Sequence, residues 1–293
     1  MDFILIRLLV ALVGTAIAAK QDWDTSFIDE KLLYAMAAIG LLLNVITLDT
    51  QFILYSVGGA AVIFAIGYFL YKTGELGGGD VWLFVALQLL LPFYPFEQIP
   101  GAGLLGSNAF FLEQLASSLP FLASILIASS VIGMIGSSAY YAYCLRGKKL
   151  KPSKIGLVMS LVLLILLAFF ALTYSISPSR MIIFALVLLP SLFLTMFREQ
   201  VNDEVVIQNI PLTKIEDEDV LAIEKIDGKL VKKYALETVL TASALKKLGK
   251  MMYAQKLKTI PVYKVLPRFA PYVLLGLIAC LLMRDLMVFL LLV

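Results

Sequence analysis

Long apolar runs recur along this chain, and they restrict its fold more than any other feature of the sequence. A helix needs about 17 to 25 residues to cross the hydrocarbon core of a bilayer. Runs near that length fall at roughly 3–19, 32–48, 52–71, 81–93, 119–143, 155–174, 181–197 and 269–283. Because 61% of the residues are hydrophobic and only 15% are charged, a water-soluble globular enzyme is excluded. The sequence predicts an all-α polytopic membrane protein with about eight transmembrane helices.

Three of these runs have unusual ends. The first is interrupted by Arg7 and is followed by no small-residue cleavage site, so we interpret it as a span and not as a signal peptide. The fourth is short because Pro92 and Pro95 end it. The last can extend past its apolar part to Val293.

The charges of the connecting loops predict the orientation. The loop after the fifth run is rich in basic residues, which are Arg146, Lys148, Lys149, Lys151 and Lys154. The loop at 94–118 contains Glu97 and Glu113 and no basic residue. Because basic loops stay in the cytoplasm, the first loop is cytoplasmic and the second external. Alternation then places the loop around Asp22, the loop from Lys72 to Asp80 and the polar stretch 198–268 in the cytoplasm, with both termini outside.

The stretch 198–268 is an aqueous module, since it holds 13 Lys and Arg and 10 Asp and Glu residues. We expect a small mixed α/β cytoplasmic module inserted before the last helix. Ile223 to Lys233 is typical of a hairpin with Asp227-Gly228 at its turn, and Ala235 to Lys258 of a basic amphipathic helix. We interpret the module as a solvated cap without chemistry of its own. The expected domains are 1–93 as a catalytic membrane core, 94–197 as additional transmembrane helices and loops, 198–268 as the module and 269–293 as the C-terminal transmembrane helix.

The residue types exclude most catalytic machinery. The chain has no histidine, which removes Ser-His-Asp and Cys-His catalysis and histidine zinc sites. Cys144 and Cys280 lie far apart, so neither a disulfide framework nor a Cys-x-x-Cys pair is present. We therefore expect no metal and no cofactor. Chemistry must use carboxylates, hydroxyls, lysines or backbone groups.

Asp80 is the most unusual of the acidic residues. It follows Gly77, Gly78 and Gly79 at the point where a cytoplasmic loop enters an apolar run. Glycines permit close backbone approach or positive φ, and an ionisable residue at such a membrane boundary indicates a functional site. The alternative is an aspartate that only caps the helix.

Asp22 supplies a second carboxylate on the same side. Between Asp22 and Asp80 the predicted chain crosses the membrane twice, which returns it to the same face. Two carboxylates without histidine suit an aspartic protease, in which the pair shares one proton. The ionised carboxylate takes a proton from water, and the protonated one donates to the scissile amide. The sequence does not assign these two roles to individual residues.

The two motifs together resemble the Gly-x-Gly-Asp membrane aspartyl proteases, and most closely the archaeal preflagellin and type IV prepilin peptidases. That family places its first catalytic Asp at the end of the first helix, six residues before an Ile or Val, as in Asp22 and Ile28. Its second Asp follows Gly-x-Gly, matched by Gly77 to Asp80, and the apolar helix after it ends in Leu-Pro, matched by Leu91-Pro92. The chain departs from the pattern at Asp29, where the family more often has Pro.

The resemblance implies an aspartic endopeptidase that removes the basic class III signal peptide from preflagellin or prepilin-like precursors. It implies Asp22 and Asp80 as catalytic residues, on a multi-pass protein of the cell membrane with its active site at the cytoplasmic face. Bacterial members often add a cysteine-rich segment and methyltransferase activity, and the missing Cys-x-x-Cys pairs imply a peptidase only. The expected partners are such precursors and the lipid bilayer, without nucleic acid. Acidic residues near the site are candidate contacts for the leader: Asp24, Asp29, Glu30 and Glu75.

Three alternatives stay open at this point. Asp24 is a rival first aspartate, although it lacks the six-residue spacing to a branched apolar residue. A presenilin-type protease would carry Tyr-Asp and Pro-Ala-Leu, which this chain lacks. A transporter or channel would use Asp22 and Asp80 as cation or proton sites. It predicts more polar groups inside the spans than scattered Ser and Thr and Asn44, which are typical of helix packing.

Overall fold

The computed structural model describes residues 3–95, 121–174, 178–215, 219–264 and 268–283. Two expectations lie outside the described residues: the external loop with Glu97 and Glu113, and the extension of the last run to Val293. The chain forms two compact units. The first comprises Met1–Tyr71, Leu76–Met134 and Arg268–Val293, and the second comprises Lys72–Glu75 and Ile135–Pro267.

The described chain is mostly helical and contains a small sheet. The helices are α1 (Ile4–Thr25), α2 (Glu30–Ile46), α3 (Thr50–Thr73), α4 (Gly78–Leu90), α5 (Phe121–Cys144), α6 (Lys154–Tyr174), α7 (Pro178–Val201), α8 (Gly228–Tyr234), α9 (Ala242–Ala254) and α10 (Ala270–Met283). The strands are β1 (Ile207–Ile210), β2 (Val220–Leu221) and β3 (Ile260–Tyr263). A π-helical turn at Asn202–Val206 joins α7 to β1.

Among the described residues, three helices are long and apolar enough to cross a membrane, namely α1, α3 and α5. Shorter apolar helices lie at Gly78–Leu90, Lys154–Leu166 and Ala270–Leu282. At 1.5 Å per residue, α4 is about 20 Å long, which is less than the roughly 30 Å of a hydrocarbon core. The structure therefore supports a helical protein with three candidate spans, and the finer expectation of eight is not established.

Polar side chains define the turns between the first helices. Asp29 precedes α2, and its carboxylate accepts a 2.9 Å hydrogen bond from the Lys31 N–H. Asp49 precedes α3 in the same way and accepts from the N–H groups of Gln51 and Phe52, at 2.9 and 3.1 Å. These carboxylates satisfy amide groups that the first helical turn leaves without partners. Several loop acids thus have a local structural role.

The core of the first unit forms where α2 packs on α4 and α1 packs on α10. Buried leucines from α2 and α4 meet there, including Leu33, Leu83 and Leu87. Gly40 lets the two helices approach closely, because a Cβ at this position would lie 2.9 Å from the carbonyl carbon of Leu89. Helix α4 is therefore held along its length by close backbone packing.

A buried polar cluster lies at the carboxyl end of α4, and we call its members Arg7, Asn44 and Ser56 the Arg7 cluster. Their exposed fractions are 3%, 0% and 0%. Arg7 Nη1 donates to Asn44 Oδ1 at 2.6 Å and to the Leu90 carbonyl at 3.2 Å. Asn44 Nδ2 donates to Ser56 Oγ at 2.6 Å and to the Leu89 carbonyl at 3.0 Å. The cluster joins α1, α2 and α3 to carbonyl groups that the end of α4 leaves free.

The second unit contains a three-stranded antiparallel sheet in the order β1-β3-β2. Tyr263 of β3 is paired with Ile207 of β1 and with Val220 of β2. The buried face of α9, with Leu248 and Met251, shares one apolar core with the sheet. The expected mixed composition of helix and strand is therefore observed.

The two predictions about elements of this module had different outcomes. Helix α9 lies inside the predicted helical stretch from Ala235 to Lys258. The predicted hairpin over Ile223 to Lys233 is wrong, because this segment contains a short 3₁₀ turn and α8. The Asp227 side chain accepts a 2.9 Å hydrogen bond from the Lys229 N–H and so begins α8 as its cap. Asp-Gly serves helix starts as well as hairpin turns, and the cap is the use found here.

Candidate active site

Asp22 lies in the last turn of α1 and is only 8% exposed. Its Oδ2 accepts a 3.0 Å hydrogen bond from the N–H of Ala270, the first residue of α10. Arg268 is close enough for its charge to act on Asp22, and its guanidinium donates to the Trp23 carbonyl and lies over the Trp23 ring. A helix amino terminus and a guanidinium both favour negative charge. These two contacts favour the carboxylate form of Asp22, whereas its burial opposes that form.

Asp80 is half-buried in the first turn of α4. Gly77 precedes the helix in an extended conformation, with φ −71° and ψ 147°, and its N–H donates to the Asp80 carboxylate. Asp80 thus makes one contact of the kind expected for a helix-capping residue. Gly78 and Gly79 are already helical, and no glycine of this run has positive φ. Of the two uses of glycine that the sequence left open, close approach is the one found here.

The close approach is between Gly79 and Ile28. A Cβ at Gly79 would lie 3.2 Å from the Cβ of Ile28, which is tighter than ordinary packing allows. Ile28 belongs to the loop that follows α1, six residues after Asp22. The loop therefore lies against the start of α4, and Asp22 is near enough for its charge to act on Asp80. The structure brings the two carboxylates to the same end of the first unit.

Aromatic contacts fix the rotation of α4 beside Asp80. Trp82 packs edge-on against Tyr34 of α2, with ring centroids 4.9 Å apart. Phe84 packs edge-on against Phe269, at 6.0 Å. Phe269 directly precedes Ala270, so the short segment before α10 contacts α4 and also holds Asp22. Both acidic residues are thus positioned by this segment.

The other predicted site residues lie at the surface. Asp24, Asp29, Glu30 and Glu75 are all exposed, and none of them is brought into the carboxylate pair. Asp29 caps α2, and Glu30 accepts a 3.1 Å hydrogen bond from the hydroxyl of Tyr34. Within the described parts of the chain, no group of three or more Cys, Asp and Glu residues is placed to hold a metal ion.

Sequence reasoning did not assign a role to Arg268, Phe269 or Ala270. The available signal was a cation immediately before an apolar run. That pattern also fits an ordinary membrane boundary, so it did not indicate the contact.

Comparison with known proteins agrees with the motif and its geometry. Residues 9–138 match the type IV leader peptidase family. The prepilin peptidase EppA of Methanothermobacter thermautotrophicus is 30% identical over 143 residues, which is 47% of this chain and 35% of the relative. The preflagellin peptidase of Methanocaldococcus jannaschii is 31% identical over 94 residues, which is 31% of this chain and 40% of the relative. The preflagellin peptidase of Methanococcus voltae is 33% identical over 91 residues, which is 30% of this chain and 39% of the relative.

The chain matches between 35% and 40% of the length of these curated relatives. No solved structure matches the chain. The family segment contains both Asp22 and Asp80, together with Ile28 and the glycine run. The resemblance inferred from the motifs is confirmed, because residues 9–138 of this chain match the type IV leader peptidase family.

Proposed function

We propose that this chain is a membrane-embedded aspartyl endopeptidase that removes the basic class III signal peptide of preflagellin or prepilin-like precursors. The observation that carries the proposal is that Asp22 and Asp80, from different helices, share one end of the first unit and interact electrostatically. The names of the relatives, prepilin peptidase and preflagellin peptidase, support the substrate class. In this proposal residues 1–93 supply both catalytic carboxylates.

The surroundings of the pair suggest how the roles divide. Negative charge on Asp22 is stabilised by the Ala270 N–H and by Arg268. Two nearby carboxylates do not both ionise readily, so the shared proton resides on Asp80. Asp22 then takes a proton from the attacking water, and Asp80 donates its proton to the nitrogen of the scissile amide. The two residues exchange roles in each cycle, and the pair titrates as a unit.

A basic leader suits the charges around this end of the unit. Asp24, Asp29 and Glu30 are exposed on the segment between the first two helices. Lys20, Lys31 and Arg268 offset them only in part. Acidic surroundings raise the local concentration of a lysine- or arginine-rich segment. Glu75 is exposed as well and is proposed as a further leader contact.

We place the site at the cytoplasmic face of a multi-pass protein of the cell membrane. The three candidate spans support a membrane location. The cytoplasmic assignment rests on the basic loop after α5, which carries Arg146 and Lys148 among its cations. A transporter that uses the two aspartates is not favoured, because the matched relatives are named as peptidases.

The test is cleavage of a precursor with a basic class III signal peptide by the purified full chain in detergent. The parent protein is expected to release the leader, and Asp22→Asn is expected to lose this activity. Asp24→Asn is the matched control, since it makes the same chemical change two residues away on an exposed side chain. It is expected to retain activity.

Two outcomes would reject parts of the proposal. An active Asp22→Asn with an inactive Asp24→Asn would make Asp24 the first aspartate. No cleavage by a folded parent protein, with several basic-leader precursors, would reject the peptidase assignment for this chain. Circular dichroism and gel filtration of each variant establish that it is folded.

A further inference from the structure

The loop between α5 and α6, which we call the basic loop, comprises residues 145–153. It directly follows α5, a helix long and apolar enough to span a membrane, and α6 begins with an apolar stretch. The loop carries Arg146, Lys148, Lys149 and Lys151 and contains no acidic residue. Such a cluster beside a span attracts anionic lipid.

The backbone of the basic loop is held in one conformation. Gly147 adopts φ +81°, a left-handed conformation that favours glycine. Gln200 of α7, only 6% exposed, uses its side chain to donate to the Lys149 carbonyl at 3.1 Å and to accept from the Lys151 N–H at 2.9 Å. The Ser153 N–H donates to the Met196 carbonyl at 2.9 Å. The loop is therefore anchored on α7 through backbone groups, which leaves its cationic side chains outside this anchor.

A cavity of about 410 Å³ lies beside this loop. Arg146 and Lys148 line it on the polar side, and Leu145, Leu150 and Phe193 supply apolar surface. This volume is within the usual range of small-molecule sites. The cationic residues suit the phosphate headgroup of a phospholipid, and the apolar residues suit its hydrocarbon chains.

The two cations differ in their protein partners. Lys148 Nζ lies 3.0 Å from Glu204 Oε2. Lys148 and Gln200 hold the pKa of Glu204 below its usual range, so this carboxylate stays ionised and offsets the lysine. The guanidinium of Arg146 makes no hydrogen bond or ion pair with the residues that the structure describes, and it is exposed. Arg146 is therefore the cation best placed to take a phosphate in two-point contact.

We propose that the basic loop and this cavity form a binding site for an anionic membrane phospholipid. Arg146 and Lys148 bind the headgroup phosphate, and Leu150 and Phe193 contact the start of the hydrocarbon chains. A free phosphate would contact only the cations, whereas the hydrocarbon chains of a lipid would also contact the apolar residues of the cavity. The proposal does not depend on the peptidase function.

The test measures lipid binding by the purified full chain in neutral detergent, with native mass spectrometry as the readout. Phosphatidylglycerol is expected to bind and phosphatidylcholine to bind much less. An unpaired cation near an anionic lipid contributes about fivefold in affinity, and Lys148 contributes less because Glu204 offsets it, so the double variant Arg146→Gln/Lys148→Gln should bind between about fivefold and 25-fold more weakly. The single variant Arg146→Gln should lose about fivefold. Both changes are at exposed side chains, so folding should persist, and thermal unfolding without lipid checks this.

A matched control changes the same charges elsewhere in the second unit. Lys246 and Lys250 are exposed on α9, and neither lines the cavity. Lys246→Gln/Lys250→Gln should leave phosphatidylglycerol binding unchanged. Equal loss in both double variants would show general charge attraction and would overturn the site.

Two further arms separate the source of the phosphate and the kind of partner. Phe193→Ala should weaken phosphatidylglycerol binding, and soluble glycerol 3-phosphate should compete poorly. If glycerol 3-phosphate competes as well as the lipid and Phe193→Ala has no effect, the site holds a free phosphate and the lipid assignment is wrong. If an acidic peptide of glutamates displaces the lipid at equal concentration, the surface is a protein-docking site and the proposal is also overturned.

Discussion

Helix α4 has polar groups at both ends, and the two ends use them differently. At its carboxyl end, the Arg7 cluster is fully buried and donates hydrogen bonds to the free carbonyls of Leu89 and Leu90. At its amino end, Asp80 is only half-buried and takes the Gly77 N–H, while Asp22 is held by a different helix. One end is closed to water and the other meets the surface.

The comparison shows that an ionisable residue in an apolar helix does not by itself indicate chemistry. Arg7 would qualify as a functional candidate by its position alone. Its contacts show a packing role instead, since Nη1 is committed to side-chain and carbonyl oxygens of neighbouring helices. At the other end Asp22 is also buried, but Asp80 is only half-buried and so keeps access to the surface. Access to the surface distinguishes the two ends better than charge or spare hydrogen-bonding capacity, because Arg7 Nη2 is buried without a hydrogen-bond partner among the described residues.

The largest effect is expected from Asp80→Asn. The amide still accepts the Gly77 N–H, so stability should be close to that of the parent protein. Loss of the shared proton should lower the cleavage rate by about 10²- to 10⁴-fold. Cleavage rate and thermal unfolding in detergent are measured on the same sample. A loss of stability that accounts for the lost activity would make Asp80 a structural cap.

The second prediction concerns the other end of α4. Asn44→Leu leaves the buried Arg7 without its Oδ1 acceptor and should destabilise the fold by about 3 kcal/mol. The specific activity of the folded fraction should stay near that of the parent. The double variant Arg7→Met/Asn44→Leu should be more stable than Asn44→Leu alone, because apolar replacement of both partners leaves no unpaired charge. Additive losses measured by thermal unfolding would contradict the cluster.

The third prediction tests the contact between the two motifs. Gly79→Val places a side chain against Ile28 and should cost about 1 to 3 kcal/mol of overpacking, with a clear loss of activity. In the double variant Gly79→Val/Ile28→Ala, the smaller side chain at position 28 should restore part of the stability and part of the activity. Gly58→Val is the control, because a Cβ there meets no atom within 4 Å. Equal effects of the two valine variants on cleavage would show that the Gly79 contact has no special role.

The smallest effects are expected at Asp29, where a cap and a leader contact can be separated. Asp29→Ala removes the bond to the Lys31 N–H and should lower stability by about 1 kcal/mol. Asp29→Asn keeps the cap and removes the charge, so it should raise KM for a basic leader modestly and leave kcat unchanged. High salt should remove this difference in KM. An unchanged KM of Asp29→Asn at low salt would show that Asp29 caps α2 and does not contact the leader.

Motif spacing was sufficient to predict that Asp22 and Asp80 lie at the same end of the helices. The reason is that the two crossings predicted between them return the chain to one face, which is independent of detailed packing. The partner of Asp22 could not be predicted, because Ala270 contributes a backbone N–H and lies 248 residues away. No side-chain pattern marks a backbone donor.

The hairpin predicted over Ile223 to Lys233 was wrong for a physical reason. Asp227-Gly228 fits both a hairpin turn and a helix start, and tertiary packing of Leu230 and Val231 on the module core decides between them. The apolar run at 81–93 was predicted to be short because Pro92 and Pro95 end it, and its helix has 13 residues. Hydropathy reports the environment of a segment more directly than its helical length.

The hydrogen bond between Asp22 and Ala270 has a consequence for synthesis of the protein. Asp22 emerges early from the ribosome, whereas its N–H partner is made 248 residues later. At about 5 to 20 residues per second, this interval lasts roughly 12 to 50 seconds. For most of that time, after Asp80 has been made, the nascent chain has both aspartates but lacks the helix that orients the first one. Synthesis order thus delays completion of the acidic pair until α10 has joined the bundle.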